Sequence, residues 1–98
     1  MIDIVRELQD YGISPLITDP LVDSGQAYHE YGIELSELSS MKDLNIVVVA
    51  VPHQQFLQMG ISDFDQMYHR DQPKIMFDIK GAYFKSQYES QGYTYWSL

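Results

Sequence analysis

"NIVVVAVPHQQF", residues 45–56, decides the fold. Ile46 to Val51 is an unbroken, mostly β-branched apolar run that stops at Pro52. A run without alternation reads as a strand covered by helices on both sides, the habit of parallel sheets. Its end delivers His53, Gln54 and Gln55 to the carboxyl end of that strand.

The flanking sequence supports a parallel sheet. Before the run, Ile2, Val5 and Leu8 recur at helical spacing, with Gly12 as a stop, and predict a helix over 2–11. "PLIT", residues 15–18, reads as a short strand opened by Pro15 and closed by the Asp19-Pro20 turn. Ser24 is expected to cap a second helix ended by Gly32, followed by a short strand "IELS" and a helical turn in "SELSSMKDL". After the run, "HQQFLQMG" and "SDFDQMYHR" read as short helices and "KIMFDIK" as a strand breaking at Gly81. "SQYESQG" is a final helix and "YTYWSL" an aromatic edge strand. Alternation of this kind predicts an α/β fold: a three-layer, mostly parallel, Rossmann-like sheet with helices on both faces. Such sheets usually begin with a strand, whereas this chain begins with a helix, so the first strand is expected to be missing.

At 98 residues the chain is sized for one domain, here taken as 1–98. Apolar residues make up 45% and charged residues 20%, an ordinary globular balance. The lack of cysteine excludes disulfides, thiolate metal sites and thiol nucleophiles, and fits a cytoplasmic protein. A net charge of -8 argues against nucleic acid and anionic membranes as partners. No apolar run is long enough for a transmembrane helix, and the N-terminus lacks the pattern of a signal peptide. Within that acidic background, residues 74–85 hold Lys74, Lys80 and Lys85 against Asp78 alone, so an anion site is expected there or is a chance cluster.

Open α/β sheets bind ligands beyond the carboxyl ends of their strands. His53, Lys80 with Gly81, and Asp19 would each leave such an end. Lys80 suits an anion, because the following glycine lets a ligand approach the backbone. His53 can donate to a phosphate, or merely cap the helix that follows. Other candidates are weaker. His29, His53 and His69 share no metal-ligand spacing, so no metal site is expected. Asp63 and Asp65 read as a helix start with a solvated face. Ser14, Ser24 and Ser62 lack a nucleophile-elbow context, and no dinucleotide or P-loop fingerprint occurs. The eight tyrosines read as core and edge residues rather than a base-stacking surface.

Five stretches taken in order, "TDPLVD", "EYGIEL", "NIVVVAVPHQQF", "MFDIKGAY" and "YTYWSL", resemble the C-terminal domain of the UDP-glucose/GDP-mannose dehydrogenase family. The "VPHQQF" and "DIKGAY" forms look closest to members that oxidise UDP-N-acetylhexosamines for surface polysaccharides. The resemblance implies a full enzyme with an N-terminal NAD-binding domain, a central dimer-forming region and this UDP-binding domain. Such enzymes take a sugar C6 alcohol to a carboxylate in two NAD-dependent oxidations through a cysteine thiohemiacetal. Lys80 stands where the family places a basic residue near the nucleotide sugar, sometimes arginine, and His53 matches the histidine of the family's "PH" turn.

The departures bear on function. The chain has no cysteine and no dinucleotide fingerprint, and it lacks the Lys- and Arg-bearing strand and loop that open the family's domain. The expectation is a truncated UDP-sugar-binding domain with no catalytic residue and no NAD of its own, inactive alone. Its substrate-binding residues would be Lys80, Gly81 and His53, and its partners a UDP-sugar and possibly the missing domains. Loss of a central strand leaves unpaired backbone groups, which predicts a homo-oligomer or a changed strand order. The alternative is an interaction module or relic that no longer binds UDP, and affinity for UDP separates the two.

Overall fold

A computed structural model describes residues 2–98. The chain forms two compact units, Met1–Met41 and Lys42–Leu98.

In the first unit, α1 spans Ile2–Asp10 and buries Val5, with Ile4 and Leu8 half-buried beside it. Gly12 stops it in a left-handed conformation, φ 79°, while Ile13 N–H reaches back to the Leu8 carbonyl. That wrap satisfies carbonyls the helix would otherwise leave bare. The second helix, α2, spans Ser24–Tyr31. Its cap is Asp23 rather than the expected Ser24: the Asp23 carboxylate accepts the Gln26 N–H at 2.9 Å. Both side chains can cap, and the carboxylate adds its charge at the positive end of the helix. The two strands expected around Ile17 and Leu35 contract to a single parallel bridge between those residues. A 3-10 turn, Leu38–Ser40, follows.

The second unit is an α/β layer of Rossmann-like kind. β1 (Ile46–Val49), β2 (Lys74–Asp78) and β3 (Tyr93–Ser97) form an all-parallel sheet in the order β1-β2-β3. α3 (Gln54–Leu57) and α4 (Ile61–Asp65) connect β1 to β2, and α5 (Lys85–Ser90) connects β2 to β3. β1 is shorter than its apolar run, because the chain turns where His53 N–H bonds back to the Val51 carbonyl. Among the described residues β1 also forms a margin of the sheet, with Ile46 53% and Val48 40% exposed. The lack of alternation had implied cover on both sides for this strand. The expected helix over "SDFDQMYHR" ends early, because Tyr68 bridges Leu44 and His69 N–H bonds the Leu44 carbonyl.

Strand register sorts the side chains by face. Val47, Met76 and Tyr95 form one row, with Val49 and Asp78 in the next row on that face and Tyr93 at its other end. This face is the core, and Met76 and Asp78 are its fully buried members. Tyr88 of α5 covers it, stacked on Tyr95 at 5.9 Å and edge-on to Tyr93 at 5.1 Å. Phe64 of α4 meets the same Tyr88 ring edge-on. Aromatic pairs in these arrangements add about 0.5–1.5 kcal/mol each beyond burial.

Candidate functional site

Parallel strands place all their carboxyl ends at one rim, and here β1 and β2 run in register from Ile46↔Ile75 to Val49↔Asp78. His53 follows the first and Lys80 the second. The Ile79 N–H bonds the Val49 carbonyl at 3.1 Å, which keeps the two exits side by side. A second tie lies further out, where the Tyr83 hydroxyl donates to the Phe56 carbonyl at 3.0 Å.

Lys80 is exposed at the tip of a tight turn. Gly81 follows at φ 63°, and its N–H bonds the Asp78 carbonyl at 3.2 Å. That φ favours glycine, whereas space does not demand it: an added Cβ would meet only the Ser97 Cβ, at 3.9 Å. His53 occupies the N-cap position of α3 but makes no side-chain capping bond there, and its half-buried ring lies edge-on to Phe56 at 5.6 Å. The helix-cap role is therefore not the one its imidazole fills.

The remaining candidates have local partners of their own. Asp19 belongs to the first unit and closes a turn by accepting the Leu21 N–H at 2.9 Å. Asp63 accepts the Gly60 N–H at the start of α4. Asp65 departs from the solvated face expected of it, because it accepts both Lys74 Nζ at 3.1 Å and the Tyr93 hydroxyl at 2.7 Å. That bond occupies Lys74 at the amino end of β2, opposite the rim. Among the three clustered lysines, Lys80 is the one at the carboxyl end of β2. Among the described residues, no three His, Cys, Asp or Glu side chains gather as a metal site.

Beneath the turn lies a polar knot that the motif reading missed. Asp78 is fully buried at the end of β2. Its Oδ2 accepts the Tyr83 N–H at 2.9 Å and the Tyr95 hydroxyl, whose oxygen also lies 3.2 Å from the Tyr83 carbonyl. Its Oδ1 is buried with no hydrogen-bond partner among the described residues. Burial, then the Asp78 bond, pushes the Tyr95 phenol well above its ordinary value. Burial, with Tyr88 and Asp78 nearby, pushes Tyr83 up to about 12. The signal was available, since a carboxylate closing an apolar strand is costly to bury and needs a reason.

An open parallel sheet with a cationic turn at its carboxyl rim defines the general class of α/β ligand-binding domains. Residues 1–85 match the UDP-glucose/GDP-mannose dehydrogenase family, UDP binding domain, and the chain belongs to that family. It is 40% identical over 81 residues to UDP-N-acetyl-D-glucosamine 6-dehydrogenase of Salmonella typhi. To the Pseudomonas aeruginosa protein of the same name it is 32% identical over 80 residues. To Protein CapL of Staphylococcus aureus it is 30% identical over 81 residues. These alignments cover 82%, 82% and 83% of this chain but 18% of each relative, so the chain spans under a fifth of their length. No solved structure matches. Among the described residues, no helix is long and apolar enough to cross a membrane.

Proposed function

We propose that the chain is the UDP-sugar-binding portion of an NAD-dependent nucleotide-sugar 6-dehydrogenase, and that Lys80, Gly81 and His53 meet the nucleotide sugar. The observation that carries this reading is the exposed Lys80 on a glycine turn at the carboxyl rim, within a chain of the UDP-binding family. An ammonium there supplies a charge-assisted bond to a diphosphate, and the Gly81 backbone gives the phosphate close approach. The relatives' names point to a UDP-N-acetylhexosamine as the sugar.

The residues do not fit NAD. β1 is followed by Ala50, Val51, Pro52 and His53 rather than a glycine-rich phosphate loop, and no cysteine is present to hold a thiohemiacetal. The chain's share is therefore recognition. Oxidation falls to the NAD-binding and central domains of a full enzyme, and the isolated chain does not turn over NAD. A homo-oligomer and a cytoplasmic location complete this reading.

An interaction module without nucleotide affinity is the second reading. It is favoured by the sheet face opposite the core, where Ile46, Val48 and Trp96, the last 60% exposed, stand open. An amide-correlation NMR titration with UDP and UDP-N-acetylglucosamine decides between them. Saturable shifts around His53 and Lys80 support nucleotide recognition. A well-dispersed spectrum indifferent to both ligands leaves the interaction module.

A further inference from the structure

We infer that Tyr95 is a positioning residue for the Lys80–Gly81 turn and acts through the carboxyl group of Asp78. The inference rests on the nucleotide reading of that turn. Tyr83 is gripped at its N–H by Asp78 Oδ2 at 2.9 Å, and its carbonyl lies 3.2 Å from the Tyr95 hydroxyl oxygen. The same hydroxyl donates to Asp78 Oδ2, so β3 and the end of β2 hold Tyr83 together. Residues 78–83 thereby form a closed loop with Lys80 and Gly81 at its tip, tightened by the Gly81 N–H on the Asp78 carbonyl.

Neither Asp78 nor Tyr95 is open to a ligand, since they are 0% and 6% exposed. Their effect on binding must pass through the loop. A strand end needs no buried carboxyl, and an apolar side chain would close this one without leaving Oδ1 unpartnered. The carboxyl offers what an apolar group cannot, an acceptor that fixes the Tyr83 N–H. A turn ordered before the ligand arrives spares the complex that ordering cost.

The test compares UDP titrations of the whole chain, followed by amide NMR, for wild type, Tyr95→Phe, Lys80→Gln and the double variant. Tyr95→Phe keeps the ring stacked on Tyr88 and removes only the hydroxyl. If it leaves the turn ordered in about a tenth of molecules, the UDP Kd rises about tenfold. In the Lys80→Gln background the same change costs little more, because its route runs through Lys80. A purely structural role would be additive. Unchanged affinity in a folded Tyr95→Phe, or full additivity, overturns the inference while the nucleotide reading stands. No UDP shift in the wild type removes both. Should Tyr95→Phe not fold, amide exchange of the wild type decides: Tyr83 N–H protected before UDP is added supports a preset loop. Protection that appears only with UDP refutes it.

Discussion

The Tyr83 hydroxyl donates to the Phe56 carbonyl at 3.0 Å, joining the segment after β2 to the short helix after β1. The segments carrying Lys80 and His53 are thus cross-linked at the rim. Tyr83→Phe removes this bond and keeps the ring's edge contacts with Phe64 and Tyr88. The expected loss is about 1 kcal/mol of stability. Urea unfolding should show a lower midpoint with an unchanged slope. An unchanged midpoint would mean that the cross-link contributes nothing in solution.

Lys80→Gln separates binding from folding. Lys80 is exposed and its ammonium makes no hydrogen bond or ion pair among the described residues, so stability should stay within about 0.5 kcal/mol of wild type. A lost charge-assisted bond to diphosphate is worth about 1.5–3 kcal/mol, or roughly 10- to 150-fold in Kd. Calorimetric titration with UDP checks this, and the wild-type affinity should itself weaken with added salt. Equal affinity in the variant would move the anion contact away from this turn.

The legible parts of the chain were those in which local and tertiary preferences agree. "KIMFDIK" became β2 because its apolar residues occupy the central strand, paired on both sides. Gly12, Gly32 and Gly92 mark stops that the backbone takes up with positive φ. The segments around Ile17 and Leu35 failed as strands, since each finds pairing at one bridge alone. β1 formed as the strand expected, but not its cover: apolarity on both faces implied cover, which is a property of neighbours, and the open side of Val48 is invisible to its own sequence. At the site, Lys80 and Gly81 could be read from "DIKGAY" because charge and turn chemistry are local. Asp78 at the end of an apolar strand carried a signal of its own, but its partner Tyr95 did not, because Tyr95 comes from a strand 17 residues away.

Gly81→Ala tests the turn's backbone apart from its surroundings. The substituted Cβ meets no atom closer than 3.9 Å, so any cost comes from φ 63°. A non-glycine residue in that region costs about 1–2 kcal/mol. Gly81→Asn should cost less, since asparagine tolerates this conformation better. Chemical denaturation of both variants gives the order. Equal and negligible losses would mean that the turn relaxes out of the left-handed region.

Alkaline pH should unfold the sheet unit cooperatively. Burial raises the phenols of Tyr68, Tyr88, Tyr93 and Tyr95 above 10.0, and it pushes Tyr83 up to about 12. In the unfolded chain these groups lose their protons around the ordinary value of 10.0. Above that pH the unfolded state binds fewer protons than the folded one, so stability falls as pH rises. The tyrosine contribution is complete below about pH 10 and is lost as pH climbs through the raised folded values. Phenolate absorbance and far-ultraviolet circular dichroism, followed together, check this. The cluster's phenolate signal should appear in step with the loss of secondary structure. If all the tyrosines ionise smoothly near pH 10 while the dichroism holds, these phenols are open to solvent and the packing around Tyr88 is not the one described.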